Sequence, residues 1–163
     1  MKRTYYKSFD ENLCGMNGFQ YEVGKAFMAD TDDPFQWLHF ASKVNQTLRY
    51  YGKGIRICEV EPLGKVNRYA AWDMNTDCLH IIRELTTDEI IIKLLDEKCG
   101  VAEIINFEPS FNLLRVFYGR LRHCDKLAIL SADYLTPEQK KALLPKCWER
   151  EVDIREGAET DCQ

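Results

Sequence analysis

Through residues 1–85 the apolar positions come in short, partly alternating runs bounded by Gly, Asn, Asp and Pro; beyond residue 86 they recur at helical spacing. The first part therefore predicts strands. "RTYYKSF" alternates and is aromatic, "DENLCGMNGF" is turn-rich, and "FQYEVG" predicts a second strand. An acidic loop, "ADTDDP", leads to a third, "FQWLHF". Ser42 is placed to cap a short helix through Tyr51, which Gly52 and Gly54 would stop. In "IRICEVEPLGKV", Ile55, Ile57 and Glu59 alternate with Arg56, Cys58 and Val60, so both faces are partly apolar. That predicts a central strand, with Pro62 and Gly64 forming a turn or bulge into the next one. "CLHIIREL" predicts another strand.

From Thr86 the signals are helical. Thr86 and Glu89 form a capping box ahead of Ile90, Ile91, Leu94 and Leu95, and Gly100 is expected to end that helix. A second helix from Ser110 would align Leu114, Phe117 and Leu121, and Thr136, Pro137 and Gln139 open a third. "EREVDI" predicts a return to strand, and residues 155–163 a polar disordered tail. The expectation is one α+β domain over 1–154, with a curved antiparallel N-terminal sheet carrying one inserted helix. The helical half, 86–154, packs on the strand-rich half, 1–85. The expected core comprises Phe19, Val23, Trp37, Leu48, Ile57, Val60, Ile81, Ile91, Leu94, Leu114, Phe117 and Leu121.

Composition narrows the classes. A chain of 163 residues that is 45% hydrophobic can bury a core without disulfide or metal staples. No apolar run is long enough to span a membrane and "MKRTYYKSF" has no signal-peptide core, so a bacterial cytoplasmic location is expected. The seven cysteines, at 14, 58, 78, 99, 124, 147 and 162, lack the close pairs of a zinc knuckle, so reduced thiols and no metal are expected. The net charge of -4 arises in the second half: residues 1–85 carry 11 basic and 11 acidic side chains, residues 86–163 carry 11 and 15. Strong direct binding to nucleic acid is not expected from that balance.

No phosphate-binding glycine loop, nucleophile elbow, metal-binding helix pair or thioredoxin motif occurs. "YKSF", "GFQYEVGK", "LHFAS", "RYY" and "EVEPLGKV" together resemble a family of small uncharacterised bacteriophage and Firmicutes proteins, which implies a mobile-element origin. The helix followed by "RICEVEPLG" is also similar to the core of small ADP-ribosyltransferases of the rifampicin-modifying type. That resemblance implies NAD held in a cleft between two small sheets, with Arg3 and Tyr51 gripping the cofactor and Tyr6, His39 and Glu61 at the reacting ribose. A carboxylate there would stabilise oxocarbenium-like charge. The first strand offers Arg3, Tyr5 and Tyr6 but lacks the family's histidine. The competing reading of Glu59, Glu61 and Glu84 is as strand residues paired with Arg56 or Arg83.

In "LLRVFYGRLRHCDK", a continuous helix would align Arg115, Tyr118 and Arg122 as a ridge, a residue mixture favoured at binding hot spots. The leading expectation is thus a phage-type protein without cofactor. It would bind and inhibit a bacterial defence or host protein or nucleoprotein, for example as an anti-CRISPR inhibitor of a Cas nuclease. The NAD-dependent ADP-ribosyltransferase-like enzyme is the alternative.

Overall fold

The computed structural model describes residues 3–16, 18–49, 54–70 and 73–144. The chain divides into two compact units, Met1–Phe107 and Glu108–Gln163. The fold class is α+β, as the patterning predicts: among the described residues every strand lies in the first unit, and those of the second are helical or in turns.

The first unit holds two open antiparallel sheets. Strands β1 (Tyr5–Phe9), β4 (Arg56–Pro62), β7 (Cys78–Glu84) and β2 (Ala26–Met28) form one, in the order β1-β4-β7-β2. Strands β3 (Leu38–Phe40), β6 (Asp73–Thr76) and β5 (Val66–Ala70) form the other, in the order β3-β6-β5. β4 is interior, as its two apolar faces predicted, and Ile57, Cys58 and Val60 are all buried. The turn expected at Pro62 and Gly64 forms: β4 ends at Pro62, the chain bends at Gly64 and β5 starts at Val66, while register shifts between Glu59 and Val60 and between Arg68 and Ala70 break the strict alternation. Phe9, Tyr21, Leu38, Phe40, Val60, Leu79 and Ile81 form the core cluster of this unit.

Several expected elements differ. "FQYEVG" is not a strand: Lys25 N–H donates to Glu22 O in a turn where Gly24 has φ +85°. That positive φ suits glycine, and the turn delivers the next residues, Ala26–Met28, to β7. Phe19 and Val23 are accordingly exposed, against expectation. The first half of "FQWLHF" is a 3-10 turn, Pro34–Gln36, because Asp33 accepts the Phe35 N–H and Pro34 sits at its start. Helix α1 spans only Val44–Thr47, and Ser42 does not cap it. Its first N–H groups instead meet a carboxylate 53 residues away: Glu97 accepts from Val44 at 2.9 Å and Asn45 at 2.8 Å.

That carboxylate lies just past α2 (Thr87–Asp96), whose capping box between Thr86 and Glu89 forms as predicted. Ile90, Ile91 and Leu94 are its buried face. Lys98, at φ +59°, turns the chain after α2, and Gly100 begins α3 (Val101–Ile105) rather than ending α2. Both α2 and α3 belong to the first unit, so the division falls at 107/108 and not at 85/86.

In the second unit, Ser110 caps α4 (Phe111–Phe117), and Thr136 with Gln139 caps α6 (Pro137–Leu143). Between them α4 does not continue to Leu121. It tightens into a 3-10 turn at Tyr118–Arg120, and Leu121 is extended. Arg122 then precedes α5 (His123–Leu130). Gly119 lowers helix propensity at the break, and Asp125 favours a new helix start. Leu114 and Phe117 are buried as expected; Leu48 and Leu121 are half-buried. The predicted strand "EREVDI" and the tail lie outside the described residues.

Candidate functional site

Strands β1 and β3 are the facing edges of the two sheets. They touch through one antiparallel bridge, Tyr6 with Ala41, whose main-chain groups exchange hydrogen bonds of 2.8 Å in both directions. Beyond it the strands part and leave a cleft of about 460 Å³. Lys7 and Ser8 of β1 form one lip, Leu38–Phe40 the other, and Trp37, Met16 and Tyr21 supply apolar wall. Gln46 and Thr47 of α1 line it too, and Thr47 is fixed there because its carbonyl accepts from Ser8 Oγ at 2.8 Å.

His39 and Asp73 face this cleft together. β3 and β6 pair His39 with Asn75, so Asp73, two residues from Asn75 on the same sheet face, is the diagonal neighbour of His39. His39 Nδ1 lies 3.0 Å from Asp73 Oδ1, with the histidine side chain 45% exposed and the aspartate 23%. Donation of Nδ1–H to the carboxylate fixes the tautomer and leaves Nε2 as a base. The 3-10 turn leading into β3 is held from two sides: Asn75 Nδ2 donates to Pro34 O, and Phe35 stacks on Tyr69 at 5.1 Å.

Lys7 is the second polar feature. It lies between Tyr5 and Phe9 on an otherwise aromatic face of the strand, and its ammonium rests 5.6 Å from the Phe9 ring and 5.4 Å from the Tyr21 ring. Nζ donates to the His39 carbonyl at 2.8 Å. Among the described residues no carboxylate pairs with it. Burial alone lowers its pKa to about 8, since desolvation disfavours the charged form.

The structure brings only part of the sequence-predicted site together. Tyr6 and His39 line the cleft, though the Tyr6 hydroxyl is engaged by Lys93 Nζ at 3.0 Å. Arg3 is exposed and Glu61, opposite His80 in the β4–β7 ladder, is half-buried; neither lines the cleft. Tyr51 lies outside the described residues. Glu59 pairs with Arg83, and Glu84 with Arg56, as the structural reading of those glutamates expected. The proposed ridge is not one helical stripe: Arg115 is on α4, Tyr118 is buried in the following turn, and Arg122 starts α5, bound to Asp125 at 2.8 Å.

Sequence reasoning missed Lys7 and Asp73. The signal for Lys7 was present, a lysine where alternation calls for an apolar residue. Asp73 carried none, because only the β3–β6 register makes it a neighbour of His39. Among the described residues no group of His, Cys, Asp and Glu could hold a metal ion, and no helix is long and apolar enough to cross a membrane.

No curated protein and no solved structure matches the chain. A family model described as a domain of unknown function, DUF7666, matches residues 3–93, the span that holds both sheets, the cleft and every motif on which the family resemblance rested. The chain belongs to the DUF7666 family.

Proposed function

We propose that the cleft between β1 and β3 binds a small organic ligand, and that the Asp73–His39 pair acts on it as an acid–base dyad. The observation that carries this reading is the parting of two sheet edges into a mostly apolar cleft with a few convergent polar groups, the usual form of a ligand site. A carboxylate-oriented histidine with Nε2 free to exchange a proton is a recurring acid–base arrangement. The site favours the small-molecule alternative over pure protein binding. NAD is the first ligand to test: a cleft between two small sheets, edged by Tyr6 and His39, supports the ADP-ribosyltransferase-like expectation. In that case Asp73 takes the carboxylate role first given to Glu61.

The test is NAD titration by calorimetry beside an NAD-hydrolysis assay. Wild type and Glu61→Gln should bind and turn over alike, and His39→Ala and Asp73→Asn should lose turnover while staying folded. Turnover that vanishes in Glu61→Gln and survives in Asp73→Asn would overturn the assignment.

A second reading, that the chain is a mobile-element protein inhibiting a bacterial defence protein such as a Cas nuclease, draws support from the second unit. Arg115, Arg122, Val116 and Leu127 are exposed there. It predicts a partner whose capture survives His39→Ala and is lost on joint replacement of Arg115 and Arg122 by Ala; capture by that double variant would remove this surface.

A further inference from the structure

Antiparallel strands direct the main-chain groups of successive residues to opposite edges. Because Tyr6 bonds Ala41, Ser8 must also turn its N–H and C=O toward β3. Its ladder partner on β4 agrees: the Ile57 carbonyl points the other way, accepting from Leu85 N at 2.8 Å. His39, two residues before Ala41, likewise faces β1. A ladder continued from the Tyr6–Ala41 bridge would therefore pair Ser8 with His39. It does not continue. The Lys7 ammonium takes the His39 carbonyl, and by the same alternation the N–H groups of Ser8 and His39, together with the Ser8 carbonyl, are directed at the cleft.

The opened step thus holds three donors, two main-chain N–H groups and a lysine with no carboxylate partner among the described residues, against one further acceptor, the Ser8 carbonyl. The nearby carboxylate, Asp73, is engaged by His39. We infer that the ligand of this cleft is an anion, a carboxylate- or phosphate-bearing molecule whose acidic group closes the Ser8–His39 step on the Lys7 ammonium and both N–H groups. Its apolar body lies against Trp37, Met16 and Tyr21. This inference rests on the ligand-cleft reading and names its ligand class.

An anion on Nζ offsets the desolvation that lowers the Lys7 pKa, so binding above pH 8 takes up a proton. The other titratable groups around Lys7 are accounted for. Cys58 is opposite it on β4, its thiol pushed up to about 12 by burial. Glu59 is held by Arg83, Lys93 by Tyr6, and Asp10 accepts from Asn12 and Cys14 N–H. His39 and Asp73 face the cleft as a pair.

The experiment uses the full chain and matched fragment pairs: aromatic carboxylates and aryl phosphates against carboxamides and alcohols of the same shape. Binding is read by ligand-observed NMR, the Lys7 ε-carbon shift gives its titration, and calorimetry at pH 9 in buffers of different ionisation enthalpy gives the proton uptake. Anions should bind at least tenfold tighter than their neutral partners, raise the Lys7 pKa and take up a proton. Lys7→Met should lose that preference, and Lys7→Arg should keep it without proton uptake. Equal binding of amides and carboxylates would overturn the anion assignment and leave the cleft reading standing. Anion binding unchanged in Lys7→Met would overturn it as adventitious. Absence of any fragment binding, with the Lys7 signal unmoved, would take the cleft reading down as well.

Discussion

Glu97→Ala tests how one side of the cleft is held. The carboxylate accepts the Val44 and Asn45 N–H groups at 2.9 and 2.8 Å and so replaces a local cap for α1. Val44 is fully buried, so its N–H cannot be rehydrated when the acceptor goes. Leaving it unsatisfied costs about 1–3 kcal/mol. Asn45 is half-buried, so water replaces much of its bond and the loss is about 0.5–1 kcal/mol. The sum for Glu97→Ala is about 1.5–4 kcal/mol, and Glu97→Gln, which keeps one acceptor without the charge, should cost roughly half of that. Amide exchange is the assay of choice, because it reads the first unit separately from the second. Protection at Val44 and Asn45 should fall first. Since α1 carries Gln46 and Thr47 into the cleft wall, and Thr47 anchors the Ser8 side chain, the nearby Tyr6 amide, bonded to the Ala41 carbonyl at 2.8 Å, should follow. A loss under about 0.5 kcal/mol with Val44 still protected would refute the assignment of Glu97 as the cap of α1.

Arg56 bonds Glu84 through two nitrogens and holds its carboxyl below the ordinary value of 4.5. A depressed carboxylate stabilises the fold above its unfolded pKa and loses that contribution as pH falls through the folded value. The stability gap between wild type and Glu84→Gln in urea titrations should therefore narrow below pH 4.5; a gap constant to pH 3 would count against the pair. Lys7 gives a slope of the same sign at higher pH. Its pKa is lowered to about 8 from 10.5, so between those values the unfolded chain binds the extra proton and wild type should gain stability with pH relative to Lys7→Met. A flat difference over that interval would contradict its burial. At Gly64 a Cβ would fall on the Asp77 carboxylate, which accepts the Lys65 N–H at 2.7 Å. Gly64→Ala should cost about 1–3 kcal/mol by thermal unfolding. The same change in an Asp77→Ala background should cost much less, and equal costs in both would show that the overlap is not the cause.

Local chemistry was legible wherever a few neighbouring residues decide the outcome. The capping boxes at Thr86 and Thr136, the Ser110 cap, the interior strand around Ile57 and the strand of Leu79 and Ile81 follow from side-chain spacing and short-range hydrogen bonds, and they form as read. The α+β class follows from them. Where the reading failed, a turn outweighed the apolar pattern: Gly24 displaced a strand toward β2, Asp33 and Pro34 shortened β3, and the break at Gly119 split the helix that would have carried the Arg115–Arg122 ridge.

His39 could be suspected from the sequence, as a histidine at a strand end, and Lys7 from its place between two aromatics. The partners of both were decided by tertiary structure alone. Asp73 reaches His39 only through the register of β3 on β6, Glu97 reaches α1 across 53 residues, and the cleft exists because β1 and β3 pair at one residue and then part. Strand register and the divergence of two sheets depend on how distant faces pack, and a one-dimensional pattern encodes which residues are apolar without encoding which edges meet.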